Sequence, residues 1–276
     1  QVLVVLGIVF LGLPLWRQGI EAAFEAWRSR RRLERDPARW RAFEASRIRF
    51  GTWVGARSYA AAVLIGAFAL TYAVMVLVGP ERAVDEFALV NEKVREGEWW
   101  RLLSCAFLHG GLVHLFFNSA AGWSLARIAR SIASEAQILL AFFLSAVAGS
   151  VASTLLLGET SIGASGGILG WGGMLLGMAL RHKELRPTGL ASNIMRWVVV
   201  IALIGVAGMG FVDNAAHAGG FLAGLAMGLW FVRDEEVALP TGRPLPLPGW
   251  IAVGAVLGAP WLWMLWVMLS ARFAGR

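Results

Sequence analysis

Four polar side chains set in apolar surroundings carry the chemistry this sequence offers. They are Ser165 in "SIGASGGILG", His217 in "VDNAAHAGGFLAGLAMG", and His114 and Asn118 in "LHGGLVHLFFNSAAGW". A serine hydroxyl is a weak nucleophile until a base takes its proton, and a neutral imidazole is such a base. His114 and Asn118 are four residues apart, so on a helix they share a face. Both can donate hydrogen bonds to a developing oxyanion. Ser165 opens an apolar run, and at a helix N-terminus it would have unpaired backbone N–H groups beside it, which favour negative charge. Nucleophile, base and oxyanion donors are the parts of an acyl-transfer site. A carboxylate to orient the base is not evident: Asp213 precedes His217 by four residues and is expected in an outer loop. The residues therefore read as a Ser–His pair rather than a triad.

The elements that must hold these residues are apolar. Hydrophobic residues make up 58% of the chain, charged residues only 16%, and mean hydropathy is +0.64. A soluble domain carries roughly a quarter charged residues, so membrane insertion is the first expectation. Beyond an apolar stretch at Gln1–Trp16, seven segments stand out: Tyr59–Val78, Leu112–Ala126, Gln137–Leu157, Ala164–Leu180, Trp197–Ala207, Ala215–Val232 and Trp250–Leu269. A full span needs about 20 residues, and several of these are shorter. No small-residue cleavage site follows Trp16, which makes the first stretch a shortened span or anchor rather than a removed signal. The single cysteine, Cys105, excludes an internal disulfide framework and a Cys-rich metal site.

Eleven arginines lie between Trp16 and Tyr59, as expected of a basic surface helix on the cytoplasmic side. So apolar a chain argues against nucleic-acid binding. Alternating from there, Arg127, Arg130, Arg181, Lys183, Arg186 and Arg233 fall inside. The mixed-charge loop 79–104, "GETSIG" and "GMGFVDN" fall outside, and the last span leaves Arg272 and Arg276 outside. Trp261, Trp263 and Trp266 fit an interface belt or a packing face. Ser165 lies sixteen residues before Arg181, and His217 sixteen before Arg233. At 1.5 Å per residue both sit about 24 Å above the inner boundary, on helices running the same way. They can meet at one level.

Each residue alone has a structural reading. A serine among glycines is often packing, and His-x-x-x-Asn can be an interhelical hydrogen bond. Gly220, Gly224 and Gly228 read as a close-packing stripe. His109 reads as a solvated loop residue or a structural hydrogen-bonder, and His182 as a solvated inner-loop residue. Matched depth is what favours chemistry.

Together these stretches resemble the rhomboid family of intramembrane serine proteases. "GASG" at 163–166 is similar to that family's G-x-S-G motif, "HGGLVHLFFN" to its H-x-x-x-x-H-x-x-x-N, and "DNAAHAGGFLAG" to its A-H-x-G-G-x-x-x-G. "GEWWRLLSCAFLH" carries a match, at Trp100 and Arg101, to its W-R pair. The resemblance runs from Tyr59 to about Val232. It departs at Leu169, where many members carry an aromatic residue, and at "ARIARSIAS", where many carry a Gly and a Glu.

The resemblance implies an all-α polytopic membrane bundle with a six-span core and extra apolar segments at both ends. The expected organisation is an N-terminal region at 1–57, the core at 58–233, and a linker with a last span at 234–276. It implies Ser165 as nucleophile and His217 as base, with His114, Asn118, Gly163 and the Ser165 backbone at the oxyanion and substrate. No metal or other cofactor is implied. The implied partners are single-span membrane substrates, cut near the outer face, and the lipid bilayer, with a bacterial inner membrane as the expected location. One alternative is an inactive rhomboid-like protein that binds membrane clients. Another is a small transporter, whose marks would be intramembrane carboxylates or matched broken helices; no Asp or Glu falls within the six core segments as bounded above.

Overall fold

A charge-free run of 20 residues forms the first helix described in the computed structural model, α1, Tyr59–Val78. The description covers residues 58–156, 160–182, 189–207, 212–230 and 258–270; the expected N-terminal region at 1–57 and most of the expected linker lie outside it. Ser58 caps α1, its hydroxyl accepting from the Ala61 N–H. Gly79, at φ +102°, and Pro80 end it. A second cap comes from 75 residues away. Glu135 accepts hydrogen bonds from the Ser58 hydroxyl (3.0 Å) and from the N–H groups of Tyr59 (3.1 Å) and Ala60 (2.9 Å). It also pairs with Arg130 at 3.0 Å. A buried carboxylate is tolerated here because it meets a cation and the positive end of a helix.

The segment after α1, the one expected on the outer side and so the outer segment, folds into α2 (Pro80–Phe87), α3 (Asn91–Arg95), α4 (Arg101–Ser104) and a 3-10 turn at Cys105–Phe107. Arg101 organises it from within. Its guanidinium is buried and donates to the carbonyls of Ala88 and Asp85, each at 2.8 Å, and to Glu98 at 2.5 Å. At the surface, a hydrogen bond from Lys93 holds the Asp85 carboxyl below its usual range.

Five longer helices follow: α5 (Leu112–Arg130), α6 (Glu135–Leu156), α7 (Ser165–Arg181), α8 (Leu190–Ala207) and α9 (Asn214–Trp230). A last apolar helix, α10, spans Gly258–Ser270. By length and apolarity, α1 and α6 of the described helices can each cross a membrane; α5 passes the same test only together with Arg101–Phe107, from which it is bent by 97°. Helices α7 and α9 have only 17 residues each. Fourteen of the residues in α7 are buried in the bundle, so protein rather than lipid surrounds it and a full span length is not required.

Glycine sets the closeness of this packing. A Cβ added at Gly220 would collide with the Gly166 carbonyl, one at Gly224 with the Gly170 carbonyl, and one at Gly228 with the Met174 carbonyl. From the other side, a Cβ at Gly173 or Gly177 would strike the α9 backbone at Phe221 or Leu225. Helices α7 and α9 therefore touch backbone to backbone, as small residues permit inside membranes. The Trp171 indole fills the opposite side of α7 and satisfies its N–H on the Ile138 carbonyl at 2.7 Å.

Three sequence expectations need correction, and a fourth is decided between its two readings. Helix α8 begins at Leu190, seven residues before the apolar segment expected at Trp197, because its first two turns carry Ser192, Asn193 and Arg196. Helix α6 begins at Glu135, so its end does hold a carboxylate, engaged as described. His182, the C-cap residue of α7, is buried rather than solvated, although Leu180 and Arg181 before it are exposed. Of the two readings of His109, the structural hydrogen-bonder is the one seen: it is buried, its ring centroid 5.4 Å from that of Phe68 and its Nδ1 3.2 Å from the Phe107 carbonyl. In α10, Trp261 donates to the Thr71 hydroxyl, and Trp263 stacks edge-on with Phe87 and Trp100; these two belong to a packing face, while Trp266 is exposed.

Candidate active site

Ser165 is the first residue of α7, and a short extended stretch delivers it there. Residue Ser161 exchanges two backbone hydrogen bonds of 3.0 Å with Leu89 of the outer segment. The Gly163 N–H then donates to the Cys105 carbonyl at 2.9 Å. Gly163 adopts φ +129°, a backbone that L side chains rarely take, and a Cβ there would lie 2.8 Å from His114 Nε2. Glycine is required at 163 twice over, by backbone angle and by the imidazole pressed against it.

His217 comes from the first turn of α9. Its Nε2 lies 2.7 Å from Ser165 Oγ. The seam of glycines explains why two helices can bring a short serine side chain and an imidazole so close. The other ring nitrogen, Nδ1, is buried and has no hydrogen-bond partner. Asp213 does not reach it. Instead of lying free in an outer loop, Asp213 is the N-cap of α9: its carboxylate accepts from the Ala216 N–H at 2.8 Å and from the Ser153 hydroxyl at 2.6 Å. The sequence reading missed this cap. The signal was Asp213 standing three residues before Ala216, at the start of an apolar run.

His114 and Asn118 lie on one face of α5, as their spacing requires. The Gly110 N–H donates to His114 Nδ1 at 3.4 Å. Nδ1 is then the acceptor nitrogen, and in the neutral ring the proton sits on Nε2, the atom facing Gly163. The Asn118 amide donates to the His114 carbonyl at 3.2 Å, within its own helix rather than between helices. The position of a Gly163 Cβ would also be 3.7 Å from Asn118 Nδ2. Ser165 and His217 thus meet directly, while His114 and Asn118 border the residue two positions before Ser165. His109 backs His114, ring centroids 5.2 Å apart. Among the described residues no cluster of His, Cys, Asp and Glu could hold a metal ion.

A family model described as the Rhomboid domain matches residues 96–234, just over half of the chain, and contains His114, Asn118, Gly163, Ser165 and His217. The chain belongs to the rhomboid family. Among its relatives, the Rhomboid protease GluP of Bacillus subtilis (strain 168) is 37% identical over 147 residues, which is 50% of this chain and 28% of GluP. RHOMBOID-like protein 5 of Arabidopsis thaliana is 35% identical over 169 residues, 59% of this chain and 53% of the relative. YdcA of Bacillus subtilis (strain 168) is 30% identical over 151 residues, 53% of this chain and 74% of the relative. The chain therefore spans between about a quarter and three quarters of these rhomboid proteins. Family and apolar helices together make it an integral membrane protein.

Proposed function

We propose that this rhomboid is an intramembrane serine endopeptidase that cleaves single-span membrane proteins near the outer face of a bacterial cell membrane. The observation that carries the reading is the 2.7 Å contact between Ser165 Oγ and His217 Nε2 at the N-terminus of α7. In the proposed reaction His217 Nε2 takes the Ser165 proton as Oγ attacks the scissile carbonyl carbon. The oxyanion that forms faces the Ser165 N–H, the His114 Nε2–H and the Asn118 amide hydrogen not given to His114. As the C–N bond breaks, His217 returns its proton to the leaving amine. Water then attacks the acyl-enzyme, again losing its proton to His217, and the new carboxyl end leaves with Ser165 restored. No metal or cofactor has a part in these steps. The substrate must unwind locally, because a peptide bond within an intact helix is closed to Oγ, so Gly or Pro near the cut suits it.

A fluorophosphonate that phosphonylates activated serines tests this reading. Wild-type protein in detergent is expected to label once, at Ser165, and Ser165→Ala not at all. His217→Ala is expected to label slower by on the order of 100-fold or more, the usual value of a positioned base. Equal labelling of wild type and His217→Ala would contradict an activated serine.

A further inference from the structure

The imidazole of His217 is aimed without any side chain bound to its Nδ1. Its aim must come from the backbone that carries it. That backbone is held at three points within one helical turn. The Asp213 carboxylate caps the Ala216 N–H at 2.8 Å, and the Asp213 carbonyl accepts the His217 N–H at 3.0 Å. The second carboxylate oxygen accepts the Ser153 hydroxyl of α6 at 2.6 Å. The Ala216 peptide is wedged between two other helices. A Cβ at Gly149 of α6 would lie 2.6 Å from the Ala216 carbonyl oxygen, and one at Gly166 of α7 would lie 3.3 Å from the same atom. One residue past His217's neighbour, Gly219 faces α6 so closely that a Cβ would sit 2.9 Å from the Ala148 carbonyl oxygen.

We infer that Asp213 is a positioning residue: clamped to Ser153, it seats the first turn of α9 between α6 and α7 and so aims His217 at Ser165. This rests on the reading of Ser165 and His217 as a working pair. The role is geometric. It needs an acceptor at aspartate's length for the Ala216 N–H and a second atom that can hydrogen-bond the Ser153 hydroxyl in either sense, and it does not need the charge.

The length and the charge are separable. Asp213→Asn keeps the chain length and an oxygen for the Ala216 N–H, and its amide can pair with the Ser153 hydroxyl. Asp213→Glu keeps the charge but moves it one methylene away. Asp213→Ala removes both contacts. Steady-state cleavage of a single-span reporter, measured well below every variant's unfolding temperature, is expected to show kcat lowered about 10- to 100-fold in Asp213→Ala and Asp213→Glu, with KM within about twofold, as for a displaced reacting group. Asp213→Asn is expected within about threefold of wild type. Adding Ser153→Ala to Asp213→Ala is expected to cost nothing further, because the two share one contact. Asp213→Asn falling as far as Asp213→Ala while Asp213→Glu stays active would overturn the inference in favour of charge, and three near-normal variants would overturn it outright. A second readout does not depend on turnover. Amide hydrogen exchange at Ala216 and His217, in a Ser165→Ala background, is expected to rise in Asp213→Ala and not in Asp213→Asn. Unchanged exchange in Asp213→Ala contradicts the clamp. A wild-type protein without proteolysis but with the expected exchange pattern overturns the protease reading and leaves the clamp standing.

Discussion

Asn118 has two amide hydrogens, and one is committed to the His114 carbonyl within α5. In the proposed reaction the second is the one given to the oxyanion. A donor of that kind acts in the transition state more than on bound substrate. Asn118→Ala is therefore expected to lower kcat by on the order of 100- to 1,000-fold, with KM nearly unchanged and the protein folded. The measurement is kcat, KM and unfolding temperature on one purified variant. A near-normal kcat, or a loss that follows unfolding, would move the oxyanion role to His114 and the Ser165 backbone. Single residues were legible in the sequence when they stood out from apolar neighbours. Ser165, His217, His114 and Asn118 did so, and the equal count from the serine and the histidine to a following arginine allowed the two to meet, as they do at 2.7 Å. Residues whose partners lie far along the chain were not legible. Glu135 binds the start of α1 some 75 residues earlier, and Asp213 binds Ser153 60 residues earlier. Nothing local to either residue announces such a contact.

At the scale of elements, the seam between α7 and α9 is what makes the site possible. Two backbones in contact leave no room for a side chain, and overpacking of this kind typically costs about 1–3 kcal/mol. Gly224→Ala, whose new methyl would strike the Gly170 carbonyl, is expected to lower the unfolding temperature and to cost activity by parting Ser165 from His217. Gly66→Ala in α1 is the control. Nothing lies within 4 Å of its added Cβ, and neither unfolding temperature nor activity is expected to fall. Thermal unfolding of both variants beside wild type checks the contrast. The glycine stripe was readable as a packing face from its spacing alone. Element ends were readable where capping chemistry marked them, as Ser58 and the Gly79–Pro80 pair mark α1. They were misread at α8, since a helix that starts in a polar zone gives no apolar signal over its first two turns.

Across the whole molecule, apolarity and the placement of arginine carried the expectation of a membrane bundle, and the described residues are helical throughout apart from turns and one isolated bridge. The outer segment then serves the site from outside the bundle. Arg101 fixes its fold, Leu89 holds the strand-like approach to Ser165, and α10 packs Trp263 against its Phe87 and Trp100. None of these three contacts follows from hydropathy: Arg101 works within this segment, and the other two join it to distant parts of the chain. What they support is one event at one pair of atoms. The most direct test is cleavage of a single-span reporter in liposomes by wild type, Ser165→Ala, His217→Ala and the double variant. Each single change is expected to remove nearly all cleavage, and the double variant to be no worse than either, because the two side chains act as a unit. Substantial cleavage by Ser165→Ala would contradict the account.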